Sequence, residues 1–409
     1  MVMTEQAPAK RHMSQVGNVA GISQEEWATA VAAKAGPRTK IGAFEQVHVF
    51  WLAGMSCDGC SIAVLGATAP SVESLLTGAL PGVPIVFLHH TAVQLEAGEA
   101  YMEPMRKAWR GELEAPYVIV YEGSLADESL AGTGGYWSAV GEEGDGPMEG
   151  RRQIPSAEWA RRLAPGAAAT IAIGTCATWG GIPAAFGNVT GAMSLTDFLG
   201  ADYRSALGLP VVNIPGCSPV GDNFTETVAA ILLFLQGVGP LPEFDDLGRP
   251  AWLFGETVHR QCNRAGYYEE GTFAEEYGDK ECLVEVGCWG PVVNCNITSR
   301  GAINHVGGCM NVGGICIGCT MPGFPDKFTP FYKAPPGTVL SGTSSRLVGS
   351  FIRPLRRMTQ RDRNREVRWD RSSDPPTGWG ASNAPTFVDK IVQGAYDRIR
   401  HSDTAAKDR

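Results

Sequence analysis

The chain has 409 residues, of which 44% are hydrophobic, and it carries a net charge of −9. This length allows two domains with extensions, and the acidic balance gives no general reason to expect nucleic acid or an anionic membrane as a partner. No apolar run approaches the roughly eighteen residues that a membrane helix needs. The 51 glycines, 27 prolines and eleven cysteines indicate a loop-rich protein of the kind that binds cofactors.

The first 45 residues form a polar, alanine-rich extension in which a short helix is predicted over 24–35. Lys10 and Arg11 are not a twin-arginine pair, and no apolar stretch follows them, so that type of export signal is not encoded. We therefore predict a cytoplasmic location. Peripheral association with a membrane through a partner stays open.

Short apolar runs alternate with helical patterns from residue 46 to about residue 240. The predicted strands are HVFWLA, PIVFLHH, YVIVYEG, ATIAIG and PVVNIP, and helices are predicted over 61–78, 156–164 and 222–236. Such alternation is typical of an α/β domain with a doubly wound parallel sheet.

Four cysteines follow three of these strands, each after a glycine turn, in HVFWLAGMSC with the adjoining DGC, in ATIAIGTC and in VVNIPGC. They are Cys57, Cys60, Cys176 and Cys217. Ligands of an open parallel sheet bind beyond the carboxyl ends of its strands. These four cysteines can therefore meet although they are far apart in the sequence.

Two carboxylates accompany these cysteines. Asp58 lies between Cys57 and Cys60, where it can replace a thiolate on iron or cap the following helix. Glu122, at the carboxyl end of another predicted strand, can support a metal ligand, handle protons or stabilise the turn.

The other seven cysteines and one histidine fall within residues 259–319. This segment opens on an HxxC pair and closes on a CxxC pair, a spacing that lets both ligands turn toward one metal centre. The eight residues are His259, Cys262, Cys282, Cys288, Cys295, Cys309, Cys316 and Cys319. Eight soft ligands suit two tetrahedral iron or zinc sites.

Together the eleven cysteines and His259 make three sets of four ligands with none left over. The odd cysteine count argues against a complete disulfide framework. Structural zinc usually takes ligands close in sequence, whereas the long steps from Cys60 to Cys176 and on to Cys217 suit a cluster built into a finished fold. The spacing favours iron-sulfur clusters, with zinc as the alternative.

Beyond Tyr332 the composition changes, because nine arginines lie between Arg346 and Arg371 and a last helix is predicted over 384–400. Since the whole chain is acidic, we expect this extension to contact a partner subunit rather than nucleic acid.

These motifs together resemble the small subunit of nickel-iron hydrogenases over roughly residues 46–332. The resemblance rests on CDGCS at 57–61, YVIVYEGS at 117–124, GTCATWGG at 174–181, NIPGC at 213–217, HRQC at 259–262, GCWGP at 287–291, CIGC at 316–319 and PFY at 330–332. It implies an electron-transfer subunit of an uptake hydrogenase, with no catalytic residue of its own. Electrons from H2 oxidation at a nickel-iron centre in a partner large subunit would pass through three iron-sulfur clusters to an external acceptor. The expected assembly is a heterodimer that pairs into a dimer of heterodimers.

The resemblance also implies a domain organisation. Residues 46–240 would form a flavodoxin-like domain with a proximal cluster, and residues 241–332 a smaller, irregular iron-sulfur cluster domain with medial and distal clusters. Residues 1–45 and 333–409 would be extensions.

Carried over residue by residue, the resemblance implies three ligand sets. The proximal set is Cys57, Cys60, Cys176 and Cys217; the distal set is His259, Cys262, Cys282 and Cys288; Cys295, Cys316 and Cys319 match the family's usual medial 3Fe-4S ligands. Cys309 stands where many members have proline, so we predict that it completes a medial set and that all three clusters are 4Fe-4S. Asp58 and Glu122 are candidates for an additional proximal ligand or for a supporting hydrogen bond.

Ser56 departs from the family pattern, which commonly has glutamate there, so the usual proton route through that residue is in doubt. Cys309, the missing export signal and the long carboxyl-terminal extension look most like the actinobacterial-type, high-affinity hydrogen-oxidising enzymes. An iron-sulfur subunit of a quinone-reducing complex shares the amino-terminal fold but lacks the second cysteine-rich domain. A zinc-bearing interaction protein is the alternative from a different class.

Overall fold

The computed structural model describes residues 44–133, 135–143, 151–333, 335 and 342–348. The helices predicted over 24–35 and 384–400, and most of the arginine-rich segment, lie outside the described residues.

Seven strands occur within the described residues. They are β1 (Gln46–Ala53), β2 (Ile85–His90), β3 (Tyr117–Glu122), β4 (Ala139–Glu143), β5 (Arg152–Pro155), β6 (Ala169–Ile173) and β7 (Val211–Ile214). Five of them form a parallel sheet in the order β2-β1-β3-β6-β7, and β4 pairs with β5 in an antiparallel hairpin. All five predicted sheet strands are present. Their order is that of the flavodoxin-like fold.

The α-helices are mostly short. They are α1 (Gly59–Leu65), α2 (Val72–Leu76), α3 (Gly98–Arg110), α4 (Ser156–Leu163), α5 (Gly174–Trp179), α6 (Leu195–Leu199), α7 (Gly221–Leu235), α8 (Ala251–Phe254), α9 (Val258–Gln261), α10 (Ala265–Glu269) and α11 (Ile297–Arg300). Single 3-10 turns are Glu128–Ala131, Ala164–Gly166, Ile182–Ala184, Gly290–Val292, Cys309–Val312 and Asp326–Phe328. Residues 342–348 are also helical.

The central strands are buried on both faces, because side chains alternate between two hydrophobic clusters. Val118 and Val120 of β3 pack on the face covered by α7, and Ile119 and Tyr121 pack on the opposite face with Trp159 of α4. The three-layer α/β arrangement predicted from the sequence is therefore confirmed.

The single helix predicted over 61–78 is wrong, since two helices, α1 and α2, occupy this stretch. Pro70 lacks a backbone N–H and disfavours a helical residue before it, which interrupts the helix. The amides of Thr68 and Ala69 donate instead to the carboxylate of Asp222, at 2.6 and 3.0 Å. Ser71 then caps α2 by accepting a hydrogen bond from the amide of Ser74.

The segment after α7 is irregular, as predicted, but it has its own small hydrophobic core. Val258, Val293, Met310 and Phe328 are among the buried residues of this core, and Cys288, Cys295 and Cys316 belong to it as well. Cysteines are thus part of the packing of the second domain. The predicted division at residue 240 falls in the loop between α7 and α8.

Candidate metal-cluster sites

The proximal set lies at the carboxyl edge of the sheet. Cys57 and Cys60 follow β1, Cys176 lies in α5 directly after β6, and Cys217 follows β7. The pKa of the Cys60 thiol is raised by burial and then by the neighbouring charges of Glu122, Cys176, Cys57 and Cys217. The pKa of Cys176 is raised to about 11, chiefly by burial and by Cys217. The fold therefore brings the four thiols, 160 positions apart at the extremes, into one place.

Gly174 permits this approach. Its φ of +81° is a left-handed conformation that side chains rarely adopt, and a Cβ there would lie 2.3 Å from the sulfur of Cys60. Any larger residue would have to push the Cys60 thiol away from the sheet edge.

Glu122 anchors the CxxC loop through hydrogen bonds. It is buried, and one carboxylate oxygen accepts hydrogen bonds from the amides of Cys60 and Ser61, at 3.1 and 3.3 Å. The other oxygen accepts from the Ser61 hydroxyl and from the Trp51 indole, the latter at 2.9 Å. His90 lies against the same serine, with its Nε2 2.9 Å from the Ser61 hydroxyl. Of the roles considered for Glu122, these contacts support the turn-stabilising one directly.

Asp58 occupies the position before α1, but its side chain makes no capping hydrogen bond. Its backbone is left-handed, with φ 60°, and its amide donates to the hydroxyl of Ser56 at 3.0 Å. The helix-capping alternative is therefore not seen, and the carboxylate stays exposed beside Cys57.

The distal set lines one cleft with about 280 Å³ of empty space, part of which is open to solvent. His259, Cys262, Cys282 and Cys288 all border it, together with Arg264. The structure thus brings the four predicted distal ligands together.

Burial and backbone amides set the electrostatics of the distal set. Burial raises the pKa of Cys282 to about 12 and that of Cys288 to about 11. The amides of Gly290 and Arg264 donate to the sulfurs of Cys288 and Cys262, each at 3.4 Å, and such donation favours the thiolate. Burial lowers the pKa of His259, whose ring lies edge-on to Tyr268 at 4.6 Å. A neutral imidazole is the form that binds a metal.

The medial set lies between the other two. Cys295 and Cys316 are buried, Cys319 is partly buried and Cys309 is exposed at the start of a 3-10 turn. Burial raises the pKa of Cys295 to about 12, and the nearby charge of Cys309 adds to the shift. The pKa of Cys319 is also raised, first by burial and then by Cys295 and Cys309. Cys309 therefore lies within electrostatic reach of two other medial thiols.

Hydrogen bonds join the medial set to both of its neighbours. The amide of Cys316 donates to the sulfur of Cys288 at 3.3 Å. The backbone of Cys217 lowers the pKa of the Cys319 thiol, against the larger effect of burial. The hydroxyl of Thr175 donates to the carbonyl oxygen of Cys319 at 2.5 Å and accepts from the amide of Gly216 at 3.1 Å. The CIGC motif therefore touches the proximal set at one end and the distal set at the other.

The donors of these sites are of the kind that iron-sulfur clusters take. Within the described part of the chain, no three His, Cys, Asp or Glu side chains converge on one metal-ion position. Thiolate ligands with N–H groups aimed at their sulfurs are the surroundings that iron-sulfur clusters take.

Family models match both halves of the chain. A model of the C-terminal part of the NiFe/NiFeSe hydrogenase small subunit matches residues 254–332, and one described as NADH ubiquinone oxidoreductase, 20 Kd subunit, matches residues 57–231. The periplasmic [NiFeSe] hydrogenase small subunit of Desulfomicrobium baculatum is 34% identical over 295 residues, covering 71% of this chain and 88% of that protein. This chain belongs to the nickel-iron hydrogenase small subunit family.

Further relatives agree with this assignment. The hydrogenase-2 small chain of Escherichia coli K12 is 34% identical over 282 residues, which is 67% of each chain. The solved structure of the actinobacterial-type NiFe-hydrogenase from Ralstonia eutropha H16 superposes with a TM-score of 0.74 at 47% identity, covering 85% of this chain and 96% of that one. The predicted resemblance to hydrogenase small subunits, and to the actinobacterial type in particular, is confirmed.

The family models also separate the hydrogenase interpretation from the quinone-reductase alternative. The match to the quinone-reductase subunit ends at residue 231, before the second cysteine-rich segment, which the hydrogenase model covers. The protein is thus the electron-transfer subunit of a hydrogenase and works in a complex with a large catalytic subunit. No helix in the described ranges is long and apolar enough to cross a membrane.

Three residues of this hydrogenase subunit with defined contacts were not singled out from the sequence. Thr175 and Ser61 lie next to predicted cysteine ligands, inside motifs that the sequence analysis used. Their hydrogen-bond partners, however, are distant in sequence. Arg264 follows Cys262 by two residues, and this closeness to a predicted ligand was the available signal.

Proposed function

We propose that this subunit holds three 4Fe-4S clusters and passes electrons from the large subunit to an external acceptor in H2 oxidation. The observation that carries the proposal is the order of the three ligand sets. Thr175, beside Cys176 of the proximal set, donates a hydrogen bond to the carbonyl oxygen of Cys319 of the medial set, and the amide of Cys316 of the medial set donates one to the sulfur of Cys288 of the distal set. When bound, the clusters would supply one-electron redox chemistry.

The ligand assignments are part of this proposal. Cys57, Cys60, Cys176 and Cys217 would hold the proximal cluster; His259, Cys262, Cys282 and Cys288 the distal cluster; Cys295, Cys309, Cys316 and Cys319 the medial cluster. The proximal and medial sets are supported by the effects of their thiols on one another's pKa. The distal set is supported by the cleft that its four residues line.

Cys309 decides the composition of the medial cluster. Its charge raises the pKa of Cys295 and Cys319 of the medial set, and also that of Cys288 of the distal set. The effect on two medial thiols supports the proposal that Cys309 supplies the fourth medial thiolate. A fourth thiolate ligand adds negative charge and would lower the reduction potential relative to a cluster with three ligands.

The proximal end is where the partner large subunit, with its nickel-iron centre, would dock. Cys57 and Cys217 are exposed there. The segment after Cys176 also leaves apolar side chains in solvent, with Phe186 91% and Val189 81% exposed. Exposed apolar groups of this size are typical of protein interfaces. Pairing of two heterodimers, the identity of the acceptor and partner contacts of residues 333–409 stay predictions.

Asp58 and Glu122 would act differently at the proximal end. Glu122 positions the CxxC loop through its bonds to the Cys60 and Ser61 amides. Asp58 is an exposed carboxylate without a capping bond, and we retain it as an additional ligand of the proximal cluster. Ser56, which accepts a hydrogen bond from the Asp58 amide, has no carboxylate with which to relay a proton.

A cytoplasmic location, with peripheral membrane association through a partner, also stays a proposal. No two of the eleven cysteines, all of which lie in the described residues, are joined in a disulfide, as is usual in a reducing compartment. The relative from Desulfomicrobium baculatum is named a periplasmic enzyme. Fractionation of cells with the native protein, against cytoplasmic and periplasmic marker enzymes, tests the difference.

Metal analysis of the anaerobically purified heterodimer tests the proposed function. We expect about twelve iron and twelve acid-labile sulfide per small subunit, with nickel accompanying the large subunit. About eleven iron would restore a three-iron medial cluster and leave Cys309 without a ligand role. Zinc without sulfide would support the zinc-bearing alternative and overturn the proposal.

A further inference from the structure

Arg264 is a buried cation within the distal site. Only 1% of its surface is exposed, and it borders the same cleft as the four distal ligands. Burial lowers its pKa, whereas the charges of Cys262, Cys282 and Cys288 raise it. An arginine keeps its proton under these conditions because its ordinary pKa is above 12. A fixed positive charge therefore faces three sulfurs of the distal set.

The guanidinium is anchored by the backbone that leads to a distal ligand. One of its nitrogens donates to the carbonyl oxygens of Asp279 and Glu281, both at 2.7 Å. Glu281 directly precedes Cys282, so the same contacts hold the loop and fix the charge. In addition, the Arg264 amide donates to the sulfur of Cys262.

A second arginine nearby offers a comparison. Arg260 lies between His259 and Cys262 in sequence, but its side chain is 55% exposed and pairs with Glu256 at 3.4 Å. Exposed charges are screened by water and salt, whereas a buried charge acts at a lower effective dielectric. Of these two cations, Arg264 is the one whose charge is less screened at the cluster site.

We propose that Arg264 tunes the distal cluster, raising its reduction potential so that electrons collect at the end from which they leave. This inference rests on the proposed function. Reduction adds negative charge to a cluster, and a nearby buried cation stabilises that charge. Arg264 is a positioning residue as well, since it holds the loop before Cys282.

The test uses the intact heterodimer with three single variants. Arg264→Gln removes the charge, Arg264→Lys keeps the charge but not the forked donor, and Arg260→Gln removes an exposed charge close by. The readouts are iron and sulfide per small subunit and an EPR-monitored redox titration of the distal signal, at low and high salt.

We expect Arg264→Gln to lower the reduced-to-oxidised ratio of the distal cluster at a fixed potential by about tenfold, which is 59 mV for a one-electron couple. Arg264→Lys should stay near wild type, and Arg260→Gln should shift the midpoint much less, in a salt-dependent way. Loss of distal iron in Arg264→Gln but not in Arg264→Lys would also support a charge requirement.

A wild-type midpoint in Arg264→Gln would overturn the inference, as would a lysine variant that behaves like the glutamine variant in midpoint or in iron content. A shift in Arg260→Gln as large as that in Arg264→Gln would do the same. Wild-type protein without iron and sulfide would instead refute the proposed function, so the two failures are distinguishable.

Discussion

Replacement of Thr175 by valine tests the contact between the proximal and medial sets. The Thr175 hydroxyl is buried, donates to the Cys319 carbonyl at 2.5 Å and accepts from the Gly216 amide at 3.1 Å. Valine has a similar shape but no hydroxyl, so both backbone groups would lose this partner. Thr175→Ser keeps the hydroxyl and is the matched control.

The expected loss in the free energy of unfolding follows from the burial of the two backbone groups that lose their hydrogen-bond partner. The buried Gly216 amide without a partner costs about 1–3 kcal/mol, and the partly buried Cys319 carbonyl about 0.5–1.5 kcal/mol. Their sum, about 1.5–4.5 kcal/mol, corresponds to a fall of roughly 3–18 °C in the unfolding midpoint of a domain of this size. Serine loses only a methyl group, at about 1 kcal/mol.

The assay compares thermal unfolding with two activities of the heterodimer. H2/D2 exchange reports on the large subunit alone, whereas H2-dependent reduction of an external dye needs electrons to cross from Cys217 toward Cys319. We expect Thr175→Val to lose dye reduction more than exchange, and Thr175→Ser to keep both. A valine variant as stable as the serine variant, with undiminished dye reduction, would refute this account of the contact.

Further predictions concern the individual sites. Cys309→Pro should lower the iron content from about twelve to about eleven per small subunit and produce a 3Fe-4S EPR signal on oxidation; unchanged iron would contradict the medial assignment. His259→Ala should impair electron delivery to an external acceptor while leaving H2/D2 exchange largely intact, and equal loss of both would contradict the distal assignment. Asp58→Asn should change the EPR signal of the proximal cluster without changing the iron content, whereas an identical spectrum would exclude Asp58 as a ligand. Anaerobic removal of the clusters should expose amides of residues 258–328 to hydrogen exchange before those of the sheet, because cysteines form part of that small core; simultaneous exposure would contradict this.

The sheet could be predicted from the sequence because its strands are continuous apolar runs. The segment YVIVY is a continuous run of apolar and aromatic residues, and all six residues of β3, including Glu122 at its end, are buried. The break between α1 and α2 was harder to predict. It depends on Pro70 and on the carboxylate of Asp222, which lies more than 150 positions away in the sequence.

The ligand residues could be predicted because cysteines are rare and their spacing is informative. The contacts that support these ligands could not be predicted from the sequence. Thr175 and Cys319 are 144 positions apart, and Arg264 is recognisable as a buried cation only once the loop before Cys282 has folded over it. Neither periodicity nor motif spacing carries information on such pairs, because they are set by the packing of the two halves of the chain.

EPR spectroscopy of the heterodimer, oxidised anaerobically and then reduced with H2, tests most directly whether the small subunit holds three four-iron clusters. Three four-iron clusters should give no 3Fe-4S signal in the oxidised protein and signals of reduced 4Fe-4S clusters after H2, with double integration approaching three spins per small subunit. A 3Fe-4S signal that persists in strictly anaerobic preparations, or no cluster signal at all after H2, would contradict it.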